Sequence, residues 1–153
     1  MNQDFKDLLA EFNVRKVEFL IVGAHALAAH GYVRATEDLD VWIRPDESNA
    51  KRVIEAIRAF GAPLHDLTET DLATPGVVFQ IGVAPIRIDI LTAIDGVEFE
   101  EAWAARYATQ FADQPVNVLS RELLLRNKRA AGRRQDLADV EKLEGKGGSS
   151  IKS

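Results

Sequence analysis

The run Asp38-Leu-Asp-Val-Trp-Ile43 sets the tightest limit on the fold. Successive side chains of an extended strand point to opposite faces. Leu39, Val41 and Ile43 therefore share one face, and Asp38 and Asp40 share the other. The run reads as a strand with an apolar face against a core. Residues two apart in a strand have Cα atoms roughly 6–7 Å from each other. Carboxylates that close repel, and a divalent cation is the usual remedy. On the Asp-x-Asp spacing alone, a solvated strand face is the favoured reading.

Arg87-Ile-Asp-Ile-Leu91 adds a second constraint. Ile88 and Ile90 face one way, and Arg87, Asp89 and Leu91 face the other. An unpaired charge inside an apolar strand is costly. Setting Asp89 beside Asp38 and Asp40 around metal removes that cost. Three carboxylates are also what two Mg²⁺ ions about 3.5–4 Å apart require.

The rest of the chain supplies a mixed pattern of elements. Asp4–Phe12 reads as a helix, with Asp4 as N-cap and Phe5, Leu8, Leu9 and Phe12 at helical spacing. Val17–Val22 reads as a buried strand closed by Gly23, followed by a short helix from Ala24 to His30. Pro45 opens a helix ending at Gly61. Residues 62–76 look irregular, and Val77–Gly82 and Ile86–Thr92 form a hairpin. Glu98–Ala108 reads as a helix and Val116–Leu119 as a strand. Ser120 caps a helix to Ala131, and a last helix covers Gln135–Leu143. The fold class is α/β (α+β), a small mixed sheet flanked by helices with a helical C-terminus. Residues 1–144 make one domain, and 145–153 a flexible tail or cloning remnant.

At 153 residues, 46% of them hydrophobic, the chain suits one packed domain rather than disorder. It has no Cys, which excludes disulfide scaffolds, thiolate metal sites and thiol nucleophiles. A cytoplasmic location is the expectation. The N-terminus lacks signal-peptide order, and no apolar run approaches the roughly 20 residues of a membrane span. His25 and His30 are five apart and share no helix face, which argues against a two-His metal site. Trp42 and Trp103 read as core or interface residues. Asp136 and Asp139 are expected to pair with Arg133 or Arg134.

Val22-Gly-Ala-His25 turns from a strand into a helix, where backbone N–H groups suit phosphate. With Arg34-Ala-Thr-Glu-Asp-Leu-Asp40, Asp89 and the stretch Asn127 to Asp139, it resembles the minimal nucleotidyltransferases of the polymerase-β superfamily. The resemblance is greatest to those linked to bacterial toxin–antitoxin and abortive-infection systems. It implies a nucleotidyltransferase-like fold and transfer of a nucleotide from an NTP to a hydroxyl of RNA, protein or a small molecule. It also implies that Asp38, Asp40 and Asp89 bind Mg²⁺ and act in catalysis, Asp89 helping to activate the acceptor hydroxyl. Gly23, Ala24, Arg34, Thr36 and Lys128 would hold the nucleotide. A cognate toxin or antitoxin partner and an oligomer fit the same likeness. Ala24 stands where many members carry Ser or Gly, so phosphate would rest on backbone N–H groups alone. That departure carries a second reading, a non-enzymatic binding module. A third is an antibiotic adenylyltransferase, ranked lower because such enzymes usually need extra sequence for the drug pocket.

The net charge of −5 argues against general DNA binding. It hides an asymmetry. Residues 121–134 carry six bases (Arg121, Arg126, Lys128, Arg129, Arg133 and Arg134) against the single acid Glu122. An acidic sheet would thus sit beside a basic helical segment able to meet phosphate or RNA, or an acidic partner.

Overall fold

In the computed structural model, residues 2–33, 38–83 and 86–152 are described, Val83 and residues 146–152 by their backbone alone. The strands are β1 (Phe19–Val22), β2 (Asp38–Ile43), β3 (Val78–Val83), β4 (Ile86–Leu91), β5 (Tyr107–Phe111) and β6 (Gln114–Val118). They form one mixed sheet in the order β3-β4-β2-β1-β6-β5. The helices are α1 (Gln3–Val14), α2 (Gly23–Ala29), α3 (Glu47–Phe60), α4 (Glu69–Leu72), α5 (Phe99–Ala104), α6 (Arg121–Ala131) and α7 (Arg134–Lys152).

Apolar periodicity explains the frame. Phe5, Leu8, Leu9 and Phe12 of α1, with Val53, Ile54 and Ile57 of α3, all enter the core. The two helices pack against each other, and α1 also meets β6. Leu39, Val41 and Ile43 of β2 are completely buried, as the alternation requires. Trp42 lies on the acidic face yet is buried as well, because Phe99 of α5 covers it edge-to-face at 5.0 Å. Buried Asn49 ties the ends of β1 and β2 to α3. Its side chain accepts from the Glu18 N–H at 2.8 Å and donates to the Glu18 and Arg44 carbonyls, both at 3.0 Å.

Four local expectations change. Helix α1 is capped by Asn2 rather than Asp4, the Asn2 side chain accepting from the Phe5 N–H. Asp46 caps α3, leaving Pro45 outside it. The connection at 62–76 contains α4, closed by a reciprocal capping box between Thr68 and Asp71. The helix expected to reach Ala108 stops at Ala104, and Tyr107–Phe111 becomes strand β5. That segment pairs antiparallel with β6 across the two-residue turn Ala112-Asp113, both at positive φ. Positive φ at both central positions is the type I′ geometry that matches strand twist, but neither residue is Gly or Asn, so the usual turn signal is missing.

Asp113 sits at φ 61 with a largely exposed side chain. Gly adopts that conformation without strain, and Asp113→Gly is expected to stabilise the protein by about 0.5–1 kcal/mol. The urea midpoint of the variant against wild type checks this.

Candidate functional site

The register of three central strands assembles the acids. Strand β2 runs parallel to β4 with Asp38 opposite Arg87 and Asp40 opposite Asp89. Strand β1 runs antiparallel to β2 on the other side, with Val22 opposite Asp40. Asp38, Asp40 and Asp89, separate in sequence, thus share one patch of one sheet face. The turn into α2 meets the same patch. Gly23 has φ +71, and a Cβ there would lie 2.3 Å from Asp40 Oδ2. A side chain there would displace the Asp40 carboxylate and hold a strained backbone, both of which Gly avoids.

Asp40 also lines a cleft of about 550 Å³ between the sheet and the C-terminal helices. Gly23, Asp95, Asn127, Lys128 and Arg133 line it too. The loop after β4 closes one wall, held by Asn127 Nδ2 donating to the Asp95 carbonyl at 2.9 Å. Gly96 lets that loop lie against α6, since a Cβ there would come within 2.6 Å of Ala130 Cβ.

The carboxylates are unevenly compensated. Arg87 Nε donates to Asp89 Oδ1 at 3.0 Å, and its NH2 group to Asp38 Oδ2 at 3.3 Å and Asp89 Oδ2 at 3.4 Å. Among the described residues, Asp40 has no hydrogen-bond or ion-pair partner. Burial, reinforced by the charges of Asp89 and Asp38 and only partly offset by Arg87 and Lys128, pushes its carboxyl up to about 6. Burial also raises Asp89, against the pull of Arg87.

This arrangement tests the expected Mg²⁺ site. The donor chemistry is right, since hard carboxylate oxygens suit Mg²⁺. The geometry is not, because Arg87 already engages both oxygens of Asp89 and one of Asp38. Among the described residues, no group of three or more His, Asp or Glu is arranged to hold a metal ion.

The expected nucleotide contacts have varied settings. Gly23 borders the cleft, whereas Ala24 is buried. Arg34 and Thr36 lie outside the described residues. Lys128 borders the cleft but is buried at 5% exposure, with Nζ 3.0 Å from Asp139 and 3.5 Å from Asp136. Asp136 pairs with Arg133 as expected, Nε to Oδ2 at 2.6 Å. Lys128 and Gln135 hold Asp139. Burial works to raise Asp136, but the Arg133 hydrogen bonds and charge outweigh it and hold the carboxyl below its ordinary range. These four charged groups join α6 to α7 across Gly132.

The basic stretch is largely committed within the chain. Arg126 pairs with Glu101 and Arg129 with Glu144, while Arg121 donates to the Leu143 carbonyl at 2.7 Å. Its charges brace α6 against α5 and α7. Sequence reasoning missed Arg87, although its position on the face of Asp89 was readable. Its reach to Asp38 needs the β2–β4 register. The imidazole of His25 packs edge-on to Phe5 and Phe111, and burial lowers its proton affinity.

No family model and no curated protein matches this sequence. Solved structures do match it in fold. Lincosamide antibiotic adenylyltransferase LnuA, in a lincomycin-bound structure, aligns with a TM-score of 0.58 at 14% identity, covering 94% of this chain and 96% of that one. A candidate nucleotidyltransferase from Thermotoga maritima aligns at 0.56 and 15% identity, covering 97% and 91%. An antigenic nucleotidyltransferase-like protein from Paracoccidioides brasiliensis aligns at 0.51 and 18% identity, covering 90% and 72%. The chain has the minimal nucleotidyltransferase fold. Among the described residues, no helix is long and apolar enough to cross a membrane.

Two outcomes follow from these charges. Removing the Lys128 amine leaves two buried carboxylates short of a cation, so Lys128→Ala is expected to cost about 3–5 kcal/mol in urea unfolding. Asp40 binds its proton more tightly folded than unfolded, so its contribution to stability falls as pH rises from 3.8 to about 6. Asp40→Asn is expected to unfold at a higher temperature than wild type well above pH 6, with the advantage gone below pH 3.8.

Proposed function

We propose that the protein is a nucleotidyltransferase that moves a nucleoside monophosphate from an NTP to a hydroxyl acceptor. The observation that carries this reading is that Asp40, beside Asp89 in the β2–β4 register, joins Gly23 in lining one cleft on a nucleotidyltransferase fold. The acceptor oxygen would form its bond to the α-phosphorus as the bond to pyrophosphate breaks. Its proton would pass to a carboxylate, and Asp40 suits that task because it lines the cleft and binds a proton more tightly than an ordinary aspartate. Phosphates would meet Gly23 and Arg133, which stays largely exposed beside Asp136, whereas Lys128 is buried between Asp136 and Asp139.

Mg²⁺ would find carboxylate oxygens of the right kind in Asp38, Asp40 and Asp89, but not in their present pairing with Arg87. No step above is routed through a metal. The same pairing supports the second reading, a non-enzymatic module of nucleotidyltransferase fold that holds a partner, in a toxin–antitoxin setting or another.

The third reading is an antibiotic adenylyltransferase, a class expected to be longer than this chain. Length does not separate them, because the alignment covers nearly all of both this chain and LnuA. Lincosamides therefore belong among the acceptors tried, beside RNA, protein and other small molecules.

The test is incubation with each labelled NTP, Mg²⁺ and either cell extract or lincomycin. Wild type is expected to label an acceptor, and Asp38→Ala/Asp40→Ala to lose at least about a hundredfold in rate. Full labelling by the double variant would remove the proposed chemistry. Absence of labelling with any NTP, with a partner retained from extract, would favour the binding module.

A further inference from the structure

Asp38, Asp40 and Asp89 bring three negative charges to one patch, and among the described residues the guanidinium of Arg87 hydrogen-bonds two of them. Arg87 binds Asp89 through both carboxylate oxygens and reaches across to Asp38. Its side chain is 31% exposed and that of Asp89 only 13%, so the pair is partly shielded from water. Even with Arg87 in place three carboxylates face one bonded guanidinium among the described residues, and the charge of Asp40 is only partly offset. Such a patch attracts a further cation.

A divalent cation, however, needs the same oxygens. Mg²⁺ binds carboxylate oxygen at about 2.0–2.1 Å, on lone pairs that Arg87 now engages. Guanidinium and Mg²⁺ on the same oxygens would also repel each other at close range. Arg87 and the metal would therefore compete for Asp89 and Asp38. Arg87 comes from β4 itself, two residues before Asp89, so it is always present at high local concentration.

We propose that Arg87 is the resident counter-ion of this carboxylate patch and competes directly with a divalent cation for Asp38 and Asp89, thereby setting the protein's metal affinity. The inference rests on reading the three acids as the functional carboxylates. If Arg87 instead served to gather the acids into a metal-ready arrangement, its loss would weaken metal binding. The two roles predict opposite signs.

Mn²⁺ is the probe, with free ion counted by electron paramagnetic resonance in wild type, Arg87→Gln and Arg87→Gln/Asp40→Asn. Arg87→Gln is expected to bind Mn²⁺ about tenfold more tightly than wild type, a change of about 1.4 kcal/mol. The added Asp40→Asn should abolish that gain, and the rise in Tm on adding Mn²⁺ should be larger in Arg87→Gln than in wild type. Arg87→Lys keeps the charge but loses the two-pronged contact, and should fall between wild type and Arg87→Gln. It carries the same comparison if Arg87→Gln does not fold. Equal or weaker Mn²⁺ binding in the Arg87 variants would overturn the inference while leaving the acids as a metal site. Absence of Mn²⁺ binding in every variant would overturn both. Tighter binding without any nucleotidyl transfer would leave the inference standing and remove the proposed reaction.

Discussion

Like charges held on one side of two adjacent strands cost free energy, and the site is arranged around that cost. The apolar faces of β2 and β4, with β1 alongside, bury Leu39, Val41, Ile88 and Ile90. That burial fixes the strand register, because a slip by one residue would drive the acids into the core. The register then forces Asp40 opposite Asp89. Hydrophobic packing thus supplies the free energy that keeps repelling carboxylates together. The elevated proton affinity of Asp40 is the electrostatic record of that imposed proximity. Arg87 relieves part of the repulsion and Gly23 makes room for Asp40.

A second charged group is arranged on the opposite principle. Lys128, Arg133, Asp136 and Asp139 balance one another, with both acids buried and joined to their cations. Balanced buried charges fix geometry, because each donor needs its acceptor in place. The joint sets the angle between α6 and α7 and so holds one wall of the cleft steady. One wall therefore carries negative charge that is only partly offset, and the other a neutral, rigid network.

Much of this was legible in the chain. The alternation at 38–43 fixed the strand and its acidic face, and the lone acid at Asp89 pointed to the same patch, because period-two patterning is local. Ser120 and the apolar spacing beyond it marked α6. Strand β5 was not legible, because its turn uses Ala112-Asp113, which carry no turn signature even though both take positive φ. Helix α4 was overlooked although Thr68 and Asp71 form its capping box. Lys128 could not be read from spacing, since its partners eight and eleven residues away reach it only after Gly132 reverses the chain.

The sequence by itself determined the candidate acids, the apolar faces that hold them and the glycine turn beside them. These follow from side-chain periodicity and from the conformations individual residues allow. Tertiary structure decided which charges are spent and which remain available. Arg87 meets Asp38 only because β2 and β4 lie parallel in one register, and Lys128 is withdrawn from solvent only because α7 folds back over α6. Electrostatic pairing depends on distance in space, and a linear pattern does not specify that distance.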